Sequence, residues 1–445
     1  MRLARSRRPL LALAALSTLA LGACVGDGDE LITDPGTPAT GEILTRYVAL
    51  GNSITAGFQS GGIVDSLQLR SYPAFLAARA GAPFHAPLIR GPGCPQPFTG
   101  PLTPAPAPPP GAACGRITTP PYVSNVAVPG AKIADLFLTP SNLLNPFHRL
   151  YGLLTGGRSQ IQAMLDAQPT FVTVWIGNND ALGAAIAGHL GPTAPGGDPL
   201  LTPLASFQAS VNQMAAAIDG STAQGAVLIG VVNPTFAPIL QPGAYFFLSR
   251  DTLGEFRGKP VNNNCSPVTA LNQPNPLAAN LVSFQIVSSA VPEINCDPSQ
   301  YGGLFVLDQG EIATLTARVN AFNAALEAAA NANGWGYVNP NAVLAPLLNQ
   351  TTNVTIGGQP VPLYQNIRKC QALPTATNAD EFRSAVLRSC PVPPTGSTAP
   401  FAAPNMFGSL ISLDAVHPST AAHRILAAAI AAEINATYGT TIPTT

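Results

Sequence analysis

One rhythm constrains the fold more than any other feature of the chain. From Tyr47 onward, short apolar runs of strand type alternate with longer stretches of helix type. The strand runs are residues 46–50, 124–128, 170–176, 226–232 and 336–338; the helical stretches are 72–80, 159–167, 206–219, 311–332 and 419–437. The last two helices are Ala-rich with wide apolar faces, suited to covering a sheet. Strands separated by helices pair in parallel, so the pattern predicts an α/β protein. Three segments break the rhythm and are read as insertions: about 91–121, which carries PAPAPPP at 104–110, 233–310, and 350–408. A proline run of that kind is loop or polyproline and no core strand.

The N-terminus reads as a targeting segment to be set aside before the fold is considered. Arg2, Arg5, Arg7 and Arg8 precede the apolar stretch 10–21, which is short for a membrane span. Residues 21–24, Leu-Gly-Ala-Cys, resemble the lipobox of bacterial lipoproteins. That resemblance implies a signal peptide over 1–23 and a lipid-modified Cys24. Residues 24–45 are then a polar tether rich in Gly, Pro and Thr. Val25 follows Cys24, where an Asp would imply inner-membrane retention in such lipoproteins; the expected location is the outer membrane, cell surface or periplasm.

Of 21 basic residues, four lie in that segment, which leaves 17 against 22 acidic ones and a net charge of −5. No basic run survives, so a nucleic-acid partner is not expected. Beside Cys24 there are six cysteines, an even number in a chain expected to be exported, and none has C-x-x-C spacing. They fall into three local pairs, one in each insertion: Cys94–Cys114, Cys265–Cys296 and Cys370–Cys390.

Four blocks carry candidate chemistry. YVALGNSITAGF, from Tyr47, places Ser53 at the C-terminal end of the first strand, where open α/β sheets bind ligands. Ser53 alone also fits an ordinary helix cap. NVAVPGAKI, from Asn125, places Gly130 at a strand end, where its N–H either faces a ligand or sits in a plain turn. TFVTVWIGNND, from Thr170, ends a strongly apolar strand on Asn179, either a turn residue or an amide aimed at developing negative charge. SLDAVHPSTAAH, from Ser412, sets Asp414 three residues before His417, so the carboxylate can hold one imidazole nitrogen and leave the other as a base. His423 is read as a surface or helix-start residue.

Taken in order, these blocks resemble the SGNH hydrolases, also called GDSL esterases and lipases. The Ser, Gly, Asn and His of that family match Ser53, Gly130, Asn179 and His417. The resemblance covers about residues 46–437 and implies one domain over 46–440. Its implied fold is a flavodoxin-like three-layer α/β/α sandwich with a five-stranded parallel sheet. Its implied activity is that of a serine esterase or lipase working through a Ser53, His417 and Asp414 triad. Ser53, Gly130 and Asn179 then form the oxyanion hole, and no cofactor or metal is expected. The family's usual Gly-Asp-Ser is Gly51-Asn52-Ser53 here, a departure at the residue beside the nucleophile. A G-x-S-x-G elbow, an H-E-x-x-H site and a Walker loop are all missing from the sequence.

The expected partner is an ester, either a lipid or a short acyl ester, with Phe246, Phe247 and Leu248 as candidate walls of an acyl groove. Two alternatives stay open: an O-deacetylase acting on sugars, and a surface lipoprotein that binds a ligand without catalysis. Membrane attachment is expected through Cys24.

Overall fold

A computed structural model describes residues 42–444 apart from 101, 107–113, 140–145, 193–196, 251–255, 257, 268, 272, 345, 347–352, 357–358 and 363–409. Its strands are Tyr47–Gly51 (β1), Phe171–Trp175 (β2), Gly225–Ile229 (β3), Leu240–Pro242 (β4), Leu281–Ser283 (β5), Val306–Leu307 (β6), Gly336–Val338 (β7), Asn353–Ile356 (β8) and Gln359–Pro362 (β9). The helices that matter below are Ser53–Ala56 (α1), Tyr72–Arg79 (α2), Gln160–Ala167 (α3), Asn179–Ala187 (α4), Leu204–Asp219 (α5), Gln309–Asn333 (α6) and Thr420–Tyr438 (α7).

β1, β2, β3 and β7 form one parallel sheet in that order. β1, β2 and β3 are buried at every position, which is why they read as continuous apolar runs. Successive side chains go to opposite faces. Val48, Leu50, Val172, Val174, Ala226 and Leu228 pack with α3, α5 and α6. Tyr47, Ala49, Phe171, Trp175, Val227 and Ile229 pack with α2 and α7. The result is three layers, helix on sheet on helix.

The expected five-stranded sheet has four regular strands. The fifth run, 124–128, does lie along the free edge of β1: Ala49 N–H donates to Ser124 O (2.7 Å), Val126 N–H to Ala49 O (2.9 Å) and Val128 N–H to Gly51 O (3.1 Å). A parallel ladder would also have Gly51 N–H donate across to this edge. That N–H instead donates to Gln160 Oε1 (2.9 Å), and the ladder is interrupted there. With this segment counted as an edge, the spatial order is 2-1-3-4-5, that of flavodoxin-like sheets.

The segment 233–310, which shows no periodicity in sequence, holds a second sheet, antiparallel, in the order β4-β5-β6. Strands of two or three residues are too short to print an alternation. Two of the three expected disulfides are present, Cys94–Cys114 and Cys265–Cys296. Cys24, and the pair Cys370 and Cys390, lie outside the described residues. No described helix is long and apolar enough to cross a membrane.

Candidate active site

The C-terminal ends of β1 and β2 and the loop before α7 bring the candidate residues together. β1 turns sharply at Gly51, where a Cβ would lie 2.3 Å from Thr55 Oγ1 and 2.4 Å from Trp175 O, so only glycine fits. Asn52 caps α1, its Oδ1 accepting from Ile54 N–H (3.0 Å), and its Nδ2 donates to Asn178 Oδ1 (3.3 Å). Asn52 is fully buried and therefore knits the first block to the third. Ser53 follows as the first residue of α1.

His417 Nε2 lies 2.8 Å from Ser53 Oγ, and His417 Nδ1 lies 2.8 Å from Asp414 Oδ2. Phe58 packs on the imidazole with ring centroids 4.9 Å apart. Burial raises the Asp414 pKa. The His417 charge and the hydrogen bonds from His417 and Val416 outweigh that and hold the carboxyl at about 2. Asp414 is thus ionised in any ordinary buffer and fixes a proton on Nδ1, leaving Nε2 to accept from the serine hydroxyl.

Asn179 opens α4 and lines the same pocket as Ser53 and His417. Its Nδ2 donates to Ala131 O (2.9 Å), one residue beyond Gly130. Gly130 has φ +84° in an exposed turn closed by the bond from Ala131 N–H to Val128 O (3.2 Å). Neither the Ser53 nor the Gly130 backbone N–H has a protein acceptor among the described residues. Gly130 itself is not among the residues that line that pocket.

Two residues left without a role by sequence reasoning hold these blocks in place. Gln160, at the start of α3, takes the Gly51 N–H, as noted above. A glutamine at a helix start gives no sequence signal for that. Asp180 accepts from Ile133 N–H (2.9 Å), which ties α4 to the turn after Gly130. Burial pushes its carboxyl up to about 6, against the lowering effect of that N–H. Its place beside Asn179 was the available signal.

Two sequence readings need correction. His423 is fully buried, not a surface residue: its Nδ1 accepts from Tyr72 N–H (3.2 Å), and burial, then the charge of His417, lowers its pKa to about 3. The 3.6-residue period of α7 turns it onto α2. The aromatic run at 245–247 does not line the pocket either. Tyr245 and Phe246 pack with Phe256 and Phe284 inside the buried core that covers one face of the sheet, and Phe247 lies under the Arg250 guanidinium. The Leu248 side chain is outside the described residues. The apolar wall beside Ser53 comes from Ile54, Leu182, Val232, Phe236, Leu344 and Val416.

Comparison with curated proteins gives no match. Among solved structures, the chain is similar to an extracellular lipase from Streptomyces rimosus at 17% identity and a TM-score of 0.28, covering 69% of this chain and 88% of that one. It is also similar to a phospholipase A1 from Streptomyces albidoflavus NA297 at 15% identity and a TM-score of 0.24, covering 71% and 91%. Scores this low carry no argument. The family comparison does: the GDSL-like lipase/acylhydrolase model matches residues 47–430, from the first residue of β1 into α7. The chain is an ester-hydrolysing enzyme and belongs to the GDSL-like lipase/acylhydrolase family.

Proposed function

We propose that the chain hydrolyses carboxylic esters with an apolar acyl chain, through an acyl-enzyme on Ser53. The observation that carries this reading is the unbroken chain Asp414–His417–Ser53, with 2.8 Å at each link, at one wall of a largely apolar pocket. His417 Nε2 takes the hydroxyl proton as Ser53 Oγ bonds to the carbonyl carbon. The carbonyl oxygen becomes an oxyanion, met by the N–H groups of Ser53 and Gly130 and by the Asn179 amide. His417 returns the proton to the departing alkoxide as the C–O bond breaks, and water repeats the sequence to free the acid. No step needs a metal or cofactor.

The lining favours an acyl chain over a sugar. Two of its four asparagines have their amide donors engaged elsewhere: Asn233 Nδ2 donates to Thr316 Oγ1 (3.3 Å) and Asn341 Nδ2 to Val231 O (2.8 Å). Most of the remaining lining is apolar, and each methylene buried against it contributes about 0.8 kcal/mol. On a series of p-nitrophenyl esters, kcat/KM is expected to rise roughly fourfold per added methylene until the pocket fills. An O-acetylated sugar turned over faster than every apolar ester overturns the acyl-chain assignment.

Export and lipid attachment at Cys24 belong to the same proposal, supported by the sequence of the N-terminus and by two disulfides, which suit an oxidising compartment. Expressed in a bacterial host, the full chain is expected to enter the detergent phase on phase separation, and Cys24→Ala the aqueous phase. A Cys24→Ala chain that still takes up labelled fatty acid rules the anchor out.

A further inference from the structure

The acid of the triad is held by a turn distant in sequence. Gln59 and Gly62 exchange backbone bonds, Gln59 N–H to Gly62 O (2.9 Å) and Gly62 N–H to Gln59 O (3.1 Å). The two residues between them, Ser60 at φ +54° and Gly61 at φ +71°, are both left-handed, as a type I′ turn requires. Successive N–H groups in such a turn aim at one anion-binding concavity. Here Gly61 N–H donates to Asp414 Oδ2 (2.6 Å), the same oxygen that holds His417 Nδ1. Ser60 N–H donates to Ser412 Oγ (2.9 Å), and that hydroxyl donates onward to Asp414 Oδ1 (3.1 Å). Leu413 N–H returns to Ser60 Oγ (3.3 Å).

The first insertion clasps this turn from outside. Phe98 N–H donates to Ser60 O (2.6 Å), and Leu102 N–H donates to Leu413 O (2.7 Å). A Cβ at Gly61 would lie 2.4 Å from the Phe98 ring. Turn and acid loop therefore behave as one hydrogen-bonded unit, with the buried Ser412 hydroxyl as its relay.

We propose that Ser412 is a positioning residue for catalysis. Its hydroxyl, polarised by Ser60 N–H, orients Asp414 and takes up part of its negative charge, and so sets the basicity of His417. The carboxylate has five acceptor contacts in all. Three come from its own loop, two of them the Val416 and His417 N–H groups (2.9 and 2.8 Å) and the third the imidazole; the Gly61 bond comes from the turn. The Ser412 bond is the one contact made by a removable hydroxyl. Among the described residues, the titratable groups acting on the pair are Asp414 and His417 themselves and the neutral His423.

The inference rests on the Ser53–His417–Asp414 reading, and its test is run beside Ser53→Ala so that the two can fail separately. Ser412→Ala removes a donor from the carboxylate, which then holds the imidazolium proton more firmly. Its kcat on a p-nitrophenyl ester is expected to fall about tenfold with KM unchanged. The acid limb of its pH–rate profile moves to higher pH by roughly a few tenths of a unit. Ser412→Thr keeps the hydroxyl and restores both. If Ser412→Ala does not fold, Ser412→Cys, a weaker donor of similar size, is expected to fall between alanine and threonine in kcat. A Ser412→Ala or Ser412→Cys enzyme with wild-type kcat and an unmoved acid limb overturns the proposal, even if its Tm is lower. If Ser53→Ala stays active, the triad reading fails first.

Discussion

Ser53→Ala is expected to lose about 10⁴- to 10⁶-fold in kcat while folding normally. In the proposed mechanism the Oγ is the bond-forming atom, so its removal closes the covalent route, and triads behave as units whose members are each worth nearly the whole effect. The fold has little stake in that oxygen. Its one described partner is His417 Nε2, and α1 is capped by Asn52. Circular dichroism and Tm should therefore match wild type, and labelling by a fluorophosphonate should vanish. A Ser53→Ala enzyme within tenfold of wild type on its best ester would remove the nucleophile assignment and the acyl-enzyme with it.

Why these two atoms meet was largely legible in the sequence. β1 and β2 are buried on both faces, so their apolar runs are continuous, and each ends on small or polar residues that cannot extend a strand. The pairing of Asp414 with His417 was legible because they lie only three positions apart, within reach of one loop. What was not legible depends on contacts between distant segments. Gln160 takes the N–H that would complete the fifth strand, and nothing in residues 124–128 announces it. Whether a helical histidine faces solvent or core is set by the partner helix, so His423 could not be placed before α2 was seen against it.

The departure at Asn52 has a structural answer. A carboxylate there could still cap α1 by accepting from Ile54 N–H, but it has no donor for Asn178 Oδ1. The amide does both. In this chain Asn52 and Asn178 form a matched pair joining the loop that bears Ser53 to the loop that bears Asn179, so the substitution beside the nucleophile keeps those loops in register.

Asn179→Ala separates a turn residue from a catalytic donor, because the two roles suffer differently from the same small change. In the free enzyme its Nδ2 donates to Ala131 O at 2.9 Å, which engages one amide hydrogen. Losing that bond costs about 1 kcal/mol of stability. If that were all, the folded fraction would turn over normally. The second amide hydrogen is the one available to an oxyanion, in a pocket that Asn179 shares with Ser53 and His417. Such a contact strengthens as charge gathers on the carbonyl oxygen and is weak in the ground state. The expected result is a kcat lower by about 10²–10³ with KM little changed. Asn179→Asp should be at least as damaging, since it turns an ionised acceptor toward the same oxyanion. Fluorophosphonate labelling should slow in both variants without disappearing, because Ser53 and His417 remain. An Asn179→Ala enzyme that melts slightly earlier yet keeps its wild-type kcat would return Asn179 to the turn and leave the oxyanion to the two backbone N–H groups.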